Sequence, residues 1–343
     1  MCGEVFTAQA PESKTGRHYD PSAMAMMSIL RYGCGLPWNR LANLQESMGV
    51  PLPASTQWEK TEAAAADLIY PVFNELVRQA ARGDILYNDD TTMKVLSLMK
   101  ENQDKTVNER TGIFTTGIIS QIGDDRKIAL FYTGRNHAGE NIARLYGIRD
   151  KDCPPPIQMC DALSRNFSDE FKRILCNCLT HARRNFVDVE NHFPNECEYV
   201  IDVLADVYHN DAQTKKQAMT PEQRLAYHQE HSGPLMADLR SWLDKQLNEH
   251  LVEPNSGLGK AIAYMIKHWP ELTRFLKEPG APLDNNICER SLKQSILHRK
   301  NSLFYKTEHG AFVGDMFMSL IQTCNLMKVN PFDYLVSLLN NGN

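Results

Sequence analysis

All convincing strand signals in this 343-residue chain fall between residues 85 and 179, and helical periodicity fills the sequence on both sides. One sheet must therefore be assembled from a single window, with helices from before and after it covering its faces. Residues 85–89 read as a first strand and 112–120 as a second. A Gly123-Asp124-Asp125 turn joins the second to a third over 127–133. Residues 137–146 have helical spacing, and Pro154-Pro155-Pro156 then resets the chain into a short apolar strand over 157–160. A short helix is expected near 168–174 and a last strand over 175–179. Three meandering strands followed by helix, strand, helix and strand predict a mixed α/β fold.

The flanks read differently. Apolar residues recur at helical spacing over 22–31, 38–48 and a longer stretch ending near 81, with breaks at Gly33 to Pro37 and at Pro51 and Pro53. This predicts a helical N-terminal region over 21–82, suited either to packing or to DNA binding through a helix-turn-helix. From His181 to about Phe275 the pattern is helical and rich in long charged side chains, interrupted at Pro194, Pro221 and 253–259. Two further helices are expected near 310–324 and 331–339. No run approaches the ~18 apolar residues of a membrane span. Nine scattered cysteines, an odd number, fit reduced thiols in a cytoplasm better than a disulfide framework. The net charge of -5 lacks the basic balance usual for nucleic-acid binding, so any DNA contact must rest on local patches.

The chemistry concentrates in the polar turn Asp284-Asn285-Asn286 and the helix it opens. That helix carries one acid, Glu289, amid Arg290, Lys293, Arg299 and Lys300. An acid beside cations suits a metal-dependent phosphodiester site, the carboxylate for metal and the bases for phosphate. Asp89 and Asp161 each fall at the C-terminal end of a predicted strand, where a sheet presents side chains to a cleft. Three converging carboxylates repel one another unless cations lie between them. Magnesium or manganese, hard ions that prefer oxygen ligands, remove that cost. Two such ions about 3.5–4 Å apart stabilise the attacking and leaving oxygens of phosphoryl transfer. Asp90 adjoins Asp89, and strand alternation turns one of them inward and the other outward.

Several ordered blocks resemble the insertion sequence 66 family of DDE transposases. They are 87–96 with Asp89-Asp90-Thr91, 158–161, 178–184, 284–290, 298–304, 322–324 and 330–335. Residues 32–37, Arg40-Leu41 and 55–58 resemble the segment before that family's catalytic core, so the likeness covers nearly the whole chain. It implies a ribonuclease-H-like core over 83–180 and 281–343, with Asp89, Asp161 and Glu289 as catalytic metal ligands and an all-helical insertion over 181–280. The separation of 289 − 161 = 128 positions between the last two acids agrees, being far more than one crossover needs. The family commonly has Asp-Glu-Thr in the first block; Asp90 replaces the second residue and leaves Asp89 as the matching ligand. The implied activity is magnesium-dependent nicking and strand transfer on double-stranded DNA by a homo-oligomer, in a bacterial cytoplasm at the nucleoid.

Around this set, Arg183, Arg184, Arg290, Lys293, Arg299 and Lys300 are candidates for phosphate contact, and Cys178, His181, Asp90 and Glu140 for accessory roles. Cys178 and His181 form a Cys-x-x-His pair. A structural zinc site wants four ligands, so zinc is not expected here; Cys178 reads as a buried strand residue and His181 as a cap or hydrogen-bonding group near the site. Residues 1–20, with Cys2-Gly3, Val5-Phe6 and Ala10-Pro11, resemble the end of the family's cysteine-rich N-terminal region. The chain is thus expected to begin late and not to recognise terminal repeats unaided. The alternative expectation is a truncated, non-catalytic DNA-binding or assembly protein built on the same scaffold.

Overall fold

The computed structural model describes residues 19–104, 110–123, 125–168 and 170–341; the expected cysteine-rich remnant lies almost wholly outside them. Helix α1 (Pro21–Ser28) starts where the Asp20 side chain accepts the Ser22 N–H at 2.8 Å and Pro21 presets the first turn. It continues through a wide π-helical turn at Ile29–Gly33. Helices α2 (Trp38–Ser47) and α3 (Ala54–Ala64) follow, and α3 runs through a second π-helical turn into α4 (Tyr70–Ala80). The window then supplies β1 (Ile85–Thr92), α5 (Leu96–Glu101), β2 (Phe114–Ile122), β3 (Arg126–Gly134), α6 (Ala138–Gly147), β4 (Ile157–Cys160) and β5 (Ile174–Asn177). Helices α7 (Leu179–Val187), α8 (Pro194–Lys216), α9 (Pro221–His231), α10 (Gly233–Asn248), α11 (Gly257–Lys267) and α12 (Trp269–Leu272) come next. Helices α13 (Asn286–Ser302), α14 (Glu308–Leu326) and α15 (Pro331–Asn341) complete the chain.

The five strands form one mixed sheet in the order β3-β2-β1-β4-β5. The β1–β2 and β2–β3 pairs are antiparallel, and β1–β4 and β4–β5 are parallel. The mixed α/β expectation is met. Two local expectations are not. Strand β1 does not stop at Asp89 but continues to Thr92 along β2, so Asp89 is mid-strand. The expected helix over 168–174 is absent among the described residues, where only a 3-10 turn at Ser164–Asn166 precedes β5. Buried side chains from the sheet hold that turn: the Asn166 carbonyl accepts from Asn88 Nδ2 at 2.7 Å and Gln158 Nε2 at 2.9 Å.

Strand β3 is an edge, and an uncovered edge exposes unpaired backbone donors. Helix α14 caps them with side chains spaced four residues apart. Asp315 Oδ2 accepts the Thr133 N–H at 2.6 Å, Ser319 Oγ the Phe131 N–H at 2.9 Å, and Thr323 Oγ1 the Ala129 N–H at 3.0 Å. Four helical residues rise about 6 Å and two strand residues about 6.6 Å, so the two repeats stay in step over this length.

The N-terminal helices pack on α13 to α15. Tyr32 stacks on Phe317 at 5.1 Å, Arg31 donates to Ser302 Oγ, and Gln294 donates to the Tyr32 carbonyl at 3.0 Å. The helices between β5 and α13 pack on one another through Val200, Leu204, Leu239, Leu243 and Ile262, within an apolar core continuous with that of the sheet.

Candidate active site

The site forms where β4 leaves β1. Their parallel pairing ends at Tyr87 with Met159; carrying that register on by two residues sets Asp161, just past β4, beside Asp89. The Cys160 thiol next to it is pushed up chiefly by burial, with the charges of Asp161 and Asp89 adding to the rise. Glu289 arrives from the first turn of α13. This helix lies close against the sheet because β2 has Gly117 opposite Asp89. A Cβ at Gly117 would come within 2.9 Å of Leu292 Cγ and 3.5 Å of Cys288 Sγ, both on α13. A glycine inside a strand marks such an approach.

Asp89 and Asp90 separate as alternation requires. Asp89 faces α13, and burial pushes its carboxyl up to about 6, opposed by the Asp90 backbone N–H and by His181 and reinforced by Glu289 and Asp90. Asp90 faces α6: it accepts from Thr116 Oγ1 at 2.6 Å and the Ala138 N–H at 2.9 Å, and meets His137 Nδ1 at 3.1 Å. It therefore holds the start of α6. Glu140 is committed there too, accepting from the His137 N–H at 2.8 Å and Arg110 at 2.6 Å. Those bonds outweigh the upward push of its partial burial and leave its carboxyl below the usual range.

A buried polar network ties together the segments that carry the three acids. Gln158 of β4 donates to Asn88 Oδ1 at 2.8 Å and accepts from Tyr146 OH at 3.2 Å. Asn285, at the start of α13, donates to the Asn88 carbonyl at 3.1 Å. Asn286 completes the turn by donating its N–H to Asp284 Oδ1 at 3.0 Å. Each of these side chains is worth little alone, but linked in a buried network they fix relative geometry, with Asn285 Oδ1 left without a partner.

Two further groups crowd Glu289. Cys178 lies just past β5 at the N-terminus of α7, not within a strand, and its Sγ accepts the Asn285 N–H at 3.3 Å. His181, in the first turn of α7, places Nδ1 3.7 Å from Glu289 Oε1. Burial is the main cause of the rise of the Cys178 thiol to about 11.

The profile of the Transposase IS66 family matches residues 16–312. The chain belongs to that family. Curated relatives come from Sinorhizobium fredii (strain NBRC 101917 / NGR234). Uncharacterized protein y4hP is 26% identical over 372 residues, covering 98% of this chain and 62% of y4hP. Uncharacterized protein y4qI is 24% identical over 324 residues, covering 92% of this chain and 58% of y4qI. A third, y4jD, is 35% identical over 166 residues, 48% of this chain and 32% of y4jD. The chain thus spans about three fifths of the length of the relatives it matches most fully.

In this IS66-family chain the candidate bases divide. Arg299 is spent on the end of β1, donating to Thr91 Oγ1 at 3.2 Å and to the Thr92 carbonyl. Arg290, Lys293, Lys300 and Arg184 are exposed and Arg183 is half-buried. At 100° per residue, Lys293 and Lys300 lie within about 40° of Glu289 around α13, about 6 and 16 Å along its axis. Arg290 instead lines a cavity of about 580 Å³, shared with Asp211 and Arg224 of the intervening helices.

Tyr264 of α11 was not visible in the sequence as a site residue. Its hydroxyl donates to Asp161 Oδ1 at 3.2 Å across 103 residues of chain. A tyrosine in an amphipathic helix carries no local mark of such a role. Gly117 did carry one.

Proposed function

We propose that the chain is the catalytic part of a DDE transposase. It would nick DNA at transposon ends and join the freed 3′-hydroxyl to target DNA. What supports this is that Asp89 and Glu289, from β1 and the first turn of α13, are close enough for their charges to interact, and that the β1–β4 register carries Asp161 toward the same point. The reading includes a ribonuclease-H-like core over 83–180 and 281–343 interrupted by the helices of 181–280, with 21–82 as a helical accessory region. The mixed sheet, antiparallel on one side of β1 and parallel on the other, supports it.

The donor set suits a hard divalent cation. All three groups are oxygen acids, Asp89 is desolvated, and Glu289 Oε1 is buried without a hydrogen-bond partner. Asp89, Asp161 and Glu289 would hold one or two magnesium or manganese ions, which when bound supply charge stabilisation to the attacking and leaving oxygens. Tyr264 orients Asp161 through its hydrogen bond. Lys293 and Lys300 hold the backbone phosphates of double-stranded DNA along α13. Water first attacks a phosphodiester at the transposon end, forming one P–O bond as the bond to the 3′-oxygen breaks. The released 3′-hydroxyl then attacks a target phosphodiester in the same in-line manner, and no covalent bond to the protein forms.

Asp89→Asn, Asp161→Asn and Glu289→Gln should each abolish magnesium-dependent cleavage and strand transfer on transposon-end DNA, with circular dichroism unchanged. Activity that survives any one substitution removes that residue from the site. A gel shift in the presence of magnesium that shows binding but no cleavage supports a non-catalytic DNA-binding protein instead.

A further inference from the structure

The thiol of Cys178, an imidazole nitrogen of His181 and the carboxylate of Glu289 present one ligand atom each, all within 4.8 Å of one another. They come from the N-terminal turns of α7 and α13, packed together by the Asn285-to-Cys178 hydrogen bond across 107 residues of chain. His181 Nδ1 and Glu289 Oε1 are both buried with no hydrogen-bond partner. At 3.7 Å they are too far apart to bond each other. They are close to the separation of two ligands on one tetrahedral ion, about 3.3 Å for metal–ligand bonds near 2.0–2.1 Å. Buried polar atoms left unpaired call for an explanation, and an ion between them is one.

From this cluster we propose a second metal site, distinct in ligand chemistry from the three-acid site: Cys178, His181 and Glu289 bind one zinc-class divalent ion, with water in the fourth position. A sulfur-nitrogen-oxygen set selects a borderline-soft ion and is poorly suited to magnesium. Binding takes one thiolate and one carboxylate, so a 2+ ion leaves the site neutral overall. The Cys178 proton is released to solvent, one per ion bound. Both helix N-termini point partial positive charge at the cluster, which favours its two anionic ligands. On the transposase reading above, an ion held here occupies Glu289 and competes with its service beside Asp89 and Asp161, so zinc would inhibit magnesium-dependent cleavage.

The test is a titration of the chelator-stripped protein with cobalt(II), without DNA. One equivalent should produce a thiolate-to-cobalt charge-transfer band, with one proton released, and zinc should displace the cobalt. Cys178→Ser should eliminate the band, and His181→Asn and Glu289→Gln should each weaken binding by roughly a hundredfold. Asp89→Asn should leave the band intact, which separates this site from the catalytic reading. Absence of a thiolate band, its survival in Cys178→Ser, or unchanged affinity in both other variants overturns the proposal. X-ray absorption of the zinc-loaded wild-type protein decides the case even if a variant fails to fold. One sulfur with imidazole and oxygen supports the site, and a shell without sulfur or with several sulfurs overturns it.

Discussion

Asp89 and Asp90 are neighbours in sequence and have opposite surroundings, because a strand turns successive side chains to opposite faces. Asp90 is satisfied by Thr116, His137 and the start of α6. Among the described residues Asp89 receives only the Asp90 N–H, at 2.8 Å, and pays for its burial with a carboxyl raised to about 6. A raised acid contributes stability in its protonated form and loses it as pH climbs through that value. Asp89→Asn keeps the hydrogen bond and removes the desolvated charge. The metal-free variant should therefore be more stable at pH 8 by on the order of 2 kcal/mol, seen as a melting point a few degrees higher, while losing cleavage. A melting point equal to or below wild type at pH 8 would falsify the account of Asp89 as a strained, metal-awaiting group. The alternation of this pair was legible in the sequence. Which member faces α13 was not derivable from it, since that depends on Gly117 admitting α13 to that face of the sheet.

At the scale of elements, most of the architecture follows from local periodicity: β4 over 157–160, the helices that open at Pro194, Pro221 and Pro331, and the start of α13 are all written in turn residues and apolar spacing. The stretch before β5 is not helical as its sequence suggests, and the turn leading into it is held from a distance, by Asn88 and Gln158 reaching the Asn166 carbonyl. The α14–β3 ladder is also invisible locally, since Asp315, Ser319 and Thr323 look like ordinary polar positions until β3 is known to be an edge. Burial pushes the Asp315 carboxyl up to about 7, against the hydrogen bonds from Thr133. Its unfolded value is near 3.9. Its contribution is thus complete below about pH 4 and is lost as pH rises toward and through 7. The unfolding free energy from urea titration should fall between pH 5 and pH 8, by a few kcal/mol at most, and the midpoint with it. Asp315→Asn, whose amide can donate to Thr133 Oγ1 while its carbonyl accepts the Thr133 N–H, should flatten that dependence. A slope unchanged in Asp315→Asn would place the titrating group elsewhere.

At the scale of the whole molecule, the helices between β5 and α13 do more than lengthen the chain. They share the core of the sheet, and α11 sends Tyr264 to Asp161. Asp161 follows the last residue of β4 and has left the ladder, so the strand no longer fixes its side chain. Its Oδ1 takes the Ala162 N–H at 2.7 Å as well as Tyr264, and those two donors set its direction. A hydrogen bond to a charged acceptor is worth about 1.5–3 kcal/mol, or roughly 10- to 100-fold where the reaction depends on that orientation. Tyr264→Phe removes the hydroxyl and keeps the ring's packing against His268, 4.9 Å away. It should raise the magnesium concentration needed for half-maximal cleavage and lower the rate within that range, with the melting point almost unchanged. If the helices served only as a scaffold, the metal dependence of Tyr264→Phe would superimpose on that of the wild type, whatever happened to stability.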